Sequence, residues 1–184
     1  LDENKVNLII EVEEKQTGSF KAGVSVGTLD GFAIVTGLNE RNFYGTGRSL
    51  DFLVNTSDDR NQFKLITTDR LSYENDADIS YSINYKQEDF STASSYKLDS
   101  FTSGLGVNYK INKKLFHDIS LDYVIKDYKI TDTSTVSNTI SDSSGSNISY
   151  LISNNLRSYT LNPGFISKTG NYLSYINTIE TPTS

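Results

Sequence analysis

The sequence contains no cysteine, one histidine and few alanines among its 184 residues. The absence of cysteine excludes disulfides and thiolate-bound metals. A lone His117 is too little for a histidine metal site or for a Ser–His–Asp triad, so we expect a residue at the rim of a strand. No run of 18 apolar residues occurs, which excludes a transmembrane helix. The net charge of −6 argues against a nucleic-acid partner, because phosphates require a basic surface.

The residues that are present indicate strands. Tyr, Ser, Thr, Asn and Asp are abundant, aromatic residues make up 11% of the chain and hydrophobic residues only 36%. This composition is typical of β-sheets with polar loops. It is poor in apolar residues for a soluble core. A transmembrane β-barrel explains ordered strands with few apolar residues, because its wall is apolar outside and polar inside.

Apolar and polar residues alternate along most of the chain. The clearest case is the stretch in which Ile119, Leu121, Tyr123 and Ile125 alternate with polar residues. We count about nine such strands after Thr17, each of about 9–12 residues, and no helical period over 12 or more residues. Strands of this length cross a bilayer at a tilt. The pattern therefore predicts an all-β, antiparallel transmembrane barrel.

A soluble sandwich of two sheets also alternates, so a soluble β protein stays open as the alternative. Two features favour the membrane. Loops and turns differ in length, with longer polar loops over 90–100 and 131–147 and short turns after the second and sixth strands. Tyrosines also recur near the predicted strand ends, where an aromatic girdle would lie. These tyrosines are Tyr73, Tyr85, Tyr109, Tyr128 and Tyr150.

The stretch NERNFYGTGRSLDF, residues 39–52, contains a glycine-rich segment that is either a phosphate loop or a tight turn. A phosphate loop requires a helix after its last glycine, since the helix N-terminus supplies the donors. The residues after Gly47 alternate as a strand does, which favours the turn. We expect Arg48 to point into the barrel toward an inner carboxylate such as Asp51, or else into solvent.

Residues 5–56 contain a series of short motifs: VNLIIEVEE, then TGSF, KAGVSVGT, an Asp-Gly turn, a strand and NFYGTG. In this order and spacing they resemble the BamA family of outer-membrane protein assembly factors, at the junction between the last POTRA domain and the barrel. The resemblance implies that residues 1–15 are the C-terminal strand of a POTRA domain. It also implies that residues 16–184 are the N-terminal part of an outer-membrane barrel, about nine strands of an expected sixteen.

The resemblance implies a function in the assembly and insertion of other barrel proteins, with no catalysis, no metal and no cofactor. The first barrel strand, residues 17–28, is expected to meet the last strand at a lateral seam that opens, and its edge would pair with a client strand. A narrow, sparsely apolar seam is expected to thin the bilayer nearby. Glycines in this strand are either gate residues or residues of wall curvature. The predicted pairing residues are Phe20, Lys21, Ala22, Gly23, Val24, Ser25, Val26 and Gly27, and those of the periplasmic turn are Asn42, Phe43, Gly45 and Gly47.

The implied partners are unfolded outer-membrane proteins as clients, outer-membrane lipids and periplasmic lipoproteins of the assembly complex. The implied location is the bacterial outer membrane, with the N-terminal segment in the periplasm. Three alternatives remain: a translocation or autotransporter-assembly member of the same superfamily, a passive pore, and an outer-membrane enzyme. The single histidine, without an evident partner, argues against the enzyme.

Overall fold

A computed structural model describes residues 9–13, 15–27, 31–72, 77–160 and 170–183. Nine strands and two short helices follow in chain order: β1 (Gly18–Gly27), β2 (Gly31–Phe43), β3 (Arg48–Ser57), β4 (Arg60–Ser72), β5 (Ala77–Asp89), α1 (Ser91–Ser94), β6 (Tyr96–Asn112), β7 (Leu115–Ile130), α2 (Asn138–Asp142), β8 (Gly145–Tyr159) and β9 (Tyr172–Thr183). Within the described residues, no helix is long and apolar enough to cross a membrane.

All nine strands form one antiparallel sheet in which the spatial order follows the chain order, so the expected all-β fold and its nine strands are confirmed. Each strand pairs with the next, and in the described part of the chain β1 pairs only with β2 and β9 only with β8. Val124 is the one buried hydrophobic residue of the described chain. A single sheet without a covered core contradicts the soluble sandwich, which buries two sheets face to face.

Side chains alternate between the two faces along every strand. The register aligns the apolar positions of neighbouring strands, so one face of the sheet is apolar and the other is polar. Directly opposed residues form rows that cross all nine strands. One row of the apolar face consists of Phe20, Leu38, Phe52, Leu65, Ile83, Ser103, Tyr123, Tyr150 and Thr181. The neighbouring row of the polar face consists of Lys21, Gly37, Leu53, Lys64, Asn84, Thr102, Val124, Ser149 and Pro182.

Three strands, β1, β3 and β9, have the predicted length of about 9–12 residues, and the other six are longer, at 13–17 residues. The expected loop over 90–100 is wrong in its second half, because β6 already begins at Tyr96. Ion pairs between neighbouring strands accompany the longer pairing in this segment: Lys97 contacts Asp89 at 2.6 Å, and Lys129 contacts Asp99 at 2.5 Å. The expected loop over 131–147 ends at β8, which begins at Gly145, and it contains α2.

The loops after the fifth and seventh strands are longer than the turns after the second and sixth, as expected. They lie at one end of the sheet, and the turns at 44–47 and 113–114 lie at the other. Tyr85, Tyr109 and Tyr128 lie two to four residues before the ends of their strands, whereas Tyr150 lies inside β8, so that one position was wrong. Tyr73, residues 28–30 of the expected Asp-Gly turn and the first eight residues lie outside the described residues, and Gly31 begins β2.

Candidate functional site

The candidate site is the edge of the sheet formed by β1. All ten residues of β1 are exposed, on the apolar face as well as the polar one. Only one side of the strand is paired with a neighbour among the described strands, and that neighbour is β2. The backbone N–H and C=O groups on the other side form a template on which a further strand can pair.

The side chains of β1 follow strict alternation. The apolar face carries Phe20 and Val24, which are 68% and 72% exposed. The polar face carries serines, glycines and a single charged residue, Lys21. A Cβ added at Gly23 would meet nothing within 4 Å, so close packing does not require this glycine. The eight predicted pairing residues thus lie together in β1, and their role in pairing stays a prediction.

The start of β1 is tied to the end of β2 by Glu40. Gly18 lies directly opposite Glu40, and the Thr17 hydroxyl donates a hydrogen bond to the Glu40 carboxylate. The same carboxylate accepts the backbone N–H of Asn42 at 2.8 Å. These contacts join the N-terminal end of β1 to the turn that follows β2. The sequence analysis missed Glu40, since its contacts depend on the register between β1 and β2.

The glycine-rich stretch forms a tight turn over 44–47. Gly45 and Gly47 have φ values of +72° and +77°, in the left-handed region that favours glycine. Asn42 closes the turn, because its side-chain oxygen accepts the Gly47 N–H at 2.7 Å. The rings of Phe43 and Tyr44 touch edge to face, 4.5 Å apart. β3 begins directly at Arg48, so the turn is confirmed and no helix follows the glycines as a phosphate loop requires.

Arg48 pairs with Asp69 of β4, with its Nε 2.9 Å from Oδ2. The expected partner Asp51 was wrong, because residues three apart in a strand point to opposite faces. The alternative, exposure to solvent, agrees with the Arg48 side chain, which is 57% exposed. The Asp51 carboxylate instead accepts a hydrogen bond from the Asn39 side chain on the polar face.

A depression of about 320 Å³ lies on the polar face beside β1. Lys21 and Lys64 line it, together with Gly37, Asn39 and Asp51. The register explains the depression, because Gly37 lies between Lys21 and Leu53 in one row and has no side chain to fill the space. The composition does not reveal this grouping, which requires three strand registers at once.

Farther along the polar face, a hydrogen-bonded network crosses β6, β7, β8 and β9. Asp118 accepts hydrogen bonds from Arg157 at 2.7 Å, from Asn155 at 3.1 Å and from the Asn108 side chain. Ser174 of β9 donates to Asn155 at 2.8 Å. Alternation places each of these residues on the polar face, but only the register brings them together. The network joins four strands through one carboxylate.

His117 lies near the start of β7, and its Nδ1 is 2.6 Å from the hydroxyl oxygen of Tyr109. This position is at the strand end, where it was expected. No group of three or more His, Asp or Glu side chains within the described ranges is arranged to hold a metal ion.

A family model for the Omp85 superfamily domain matches residues 42–183, from the end of β2 to the end of β9. The crystal structure of BamA from Haemophilus ducreyi lacking POTRA domains 1–3 matches with a TM-score of 0.67 and 17% sequence identity. The match covers 92% of this chain and 35% of that chain. The chain therefore spans about a third of the length of that BamA, and at this identity the likeness concerns the fold.

Proposed function

The chain belongs to the Omp85 superfamily, and from that membership we propose that it is part of an outer-membrane barrel that folds and inserts other barrel proteins. The observation that carries the proposal is β1, which is exposed on both faces and paired along one side only among the described strands. An unpaired strand edge is the feature that strand addition requires. The resemblance to the BamA family over residues 5–56 includes this strand, and the match in fold supports it.

The sheet order supports a seam at β1. Strands that follow one another in the chain are neighbours in the sheet, so a barrel continued in this order closes where its last strand meets its first. When the seam opens, unpaired backbone groups face lipid, and each of them costs several kcal/mol there. A client's C-terminal strand removes this cost by pairing with residues 20–27. Backbone hydrogen bonds provide this pairing, which requires no catalytic side chain, no ATP and no cofactor.

The apolar face supports a membrane location. On β6 its apolar positions run from Phe101 to Tyr109, which is roughly 27 Å along the strand and about 20 Å across a bilayer at a typical tilt. Beyond Phe101 the same face carries the ion pair of Asp99 with Lys129. Charged residues beyond an apolar band are expected where the strands of a barrel pass from the hydrocarbon region into the polar interface.

The apolar band is shorter on the strands near the proposed seam than on β6, but it is not shortest at the seam itself. On β4 it runs only from Phe63 to Thr67, with Asn61 and Asp69 beyond its two ends, or roughly 14 Å along the strand. On β1 it runs from Phe20 to Val26. Of these three strands β4 has the shortest band, so the narrowest part lies three strands from β1 and not at the expected seam. Hydrophobic mismatch here favours a locally thinner bilayer, which lowers the cost of inserting a client strand.

The remaining parts of the proposal follow from the resemblance. Residues 1–15 would be the end of a periplasmic POTRA domain, and lipoproteins of the assembly complex would bind on that side. Residues 9–13 are exposed and unpaired in the structure. Outer-membrane lipids would contact the apolar face. The protein would not be an enzyme.

The test is site-specific photo-crosslinking in the full-length protein. A photoreactive residue replaces Ser25 on β1, and a matched one replaces Ser120 on the polar face of β7, far from the edge. We expect a nascent outer-membrane client to crosslink through its C-terminal strand at position 25 and not at 120. Crosslinking at neither site, with normal insertion of the barrel itself, would favour a passive pore, which the polar face also supports.

A further inference from the structure

We propose that Lys21 makes β1 selective for a client strand with an acidic side chain on the polar face, opposite Lys21. This inference rests on the proposed function, since it concerns the strand that adds to β1. It goes further by naming the chemistry that is selected, a carboxylate, and the residue that selects it, Lys21. The structural basis is a row of four opposed residues and the depression beside it.

The row consists of Lys21 on β1, Gly37 on β2, Leu53 on β3 and Lys64 on β4. The two lysines therefore lie at the same level of the sheet, on the same face, three strands apart. Gly37 has no side chain between them, which leaves the Lys21 stem free to move over β2 or outward past the edge. Lys21 is exposed, and Lys64 is half-buried in the wall of the depression.

Neither ammonium group has a counter-ion among the described residues. There, neither lysine side chain forms a hydrogen bond or an ion pair. Asp51 is the carboxylate that lines the same depression, and it accepts a hydrogen bond from Asn39. Elsewhere lysines on this sheet are paired, for example Lys86 with Glu88 at 2.7 Å. The positive depression is therefore an exception in a chain of net charge −6.

An added strand would place one of its side chains directly opposite Lys21. Opposed residues in an antiparallel pair have Cβ atoms about 4.5–5.5 Å apart, within reach of a lysine and a glutamate. The flanking polar-face residues Ser19 and Gly23 are small and uncharged, so Lys21 is the single charge that β1 offers to the new strand. Opposite charges at such a position favour pairing, and like charges oppose it.

The experiment uses the full-length protein with the photoreactive residue at position 25. It measures how well each of three synthetic strand peptides competes with the nascent client for crosslinking at that position. The peptides are identical apart from one central polar-face residue, which is Glu, Gln or Lys. We expect the order Glu, Gln, Lys, with the Glu peptide about fivefold more effective than the Lys peptide, the upper range for one cross-strand charge pair. The preference should weaken at high salt, which screens the interaction between exposed charges.

Charge reversal provides the control. Lys21→Glu should reverse the order of the peptides, whereas Lys113→Glu changes the net charge equally in the turn between β6 and β7 and should leave the order unchanged. Equal competition by the three peptides, or reversal by both variants, overturns the charge selection and leaves strand addition standing. Failure of every peptide to reach position 25 overturns strand addition and the selection together.

Discussion

Single polar side chains on this sheet differ in how much they stabilise it, because their burial differs. Asp118 and Arg157 are 30% and 25% exposed and share their network with two asparagines. Arg48 and Asp69 also form a direct pair, at 2.9 Å, at the turn end of the sheet, but they are 57% and 32% exposed. Exposed pairs are screened by water and salt, whereas a partly buried carboxylate that accepts three hydrogen bonds is costly to remove.

We therefore expect Asp118→Ala to destabilise the barrel by about 2 kcal/mol, since it leaves the Arg157 guanidinium partly buried without its carboxylate. The matched variant Asp69→Ala removes an exposed pair and should cost less than about 1 kcal/mol. The measurement is the urea midpoint of unfolding of the full-length protein in detergent, followed by the shift in gel mobility of the folded barrel. Equal midpoints for the two variants would contradict the ranking.

At the level of elements, alternation predicted the strands, but their ends depended on partners. The segment 96–100 contains polar residues and resembles a loop in sequence, yet it is strand because β5 and β7 continue beside it. The turn at 44–47 was predictable, since two glycines at left-handed positions and a following strand leave few other conformations. The Asp118 network was not predictable, because residues that are bonded directly in it lie up to 39 positions apart in the chain.

The assignment of the two faces makes a direct prediction for β7. A fluorescent label on a single cysteine at position 121 replaces Leu121 of the apolar face, and its control at position 120 replaces Ser120 of the polar face. In lipid vesicles, acyl chains carrying bromine should quench the label at 121 strongly and the label at 120 weakly, because only the first meets hydrocarbon. Similar quenching at both positions would show that the faces are assigned incorrectly.

The whole sheet has two edges and large exposed apolar side chains, among them Val26 at 83% and Tyr175 at 67%. Lipid does not tolerate an open strand edge, and water does not tolerate a continuous apolar face. We expect the isolated 184-residue chain to aggregate in buffer and to disperse only in detergent. Light scattering after size-exclusion chromatography tests this expectation. A monodisperse monomer in water would count strongly against the membrane barrel.

The sequence by itself determined the all-β class, the number of strands and the face on which each side chain lies, because alternation with period two is a local property of the chain. Its motifs also indicated the superfamily. Only the tertiary structure decided which residues of different strands stand opposite one another. Register is a relation between strands, set by turns and by bulges such as the one between Glu40 and Phe43. It brought Lys21 level with Lys64, and Arg157 to Asp118, and so created both the depression beside the edge and the network along the wall.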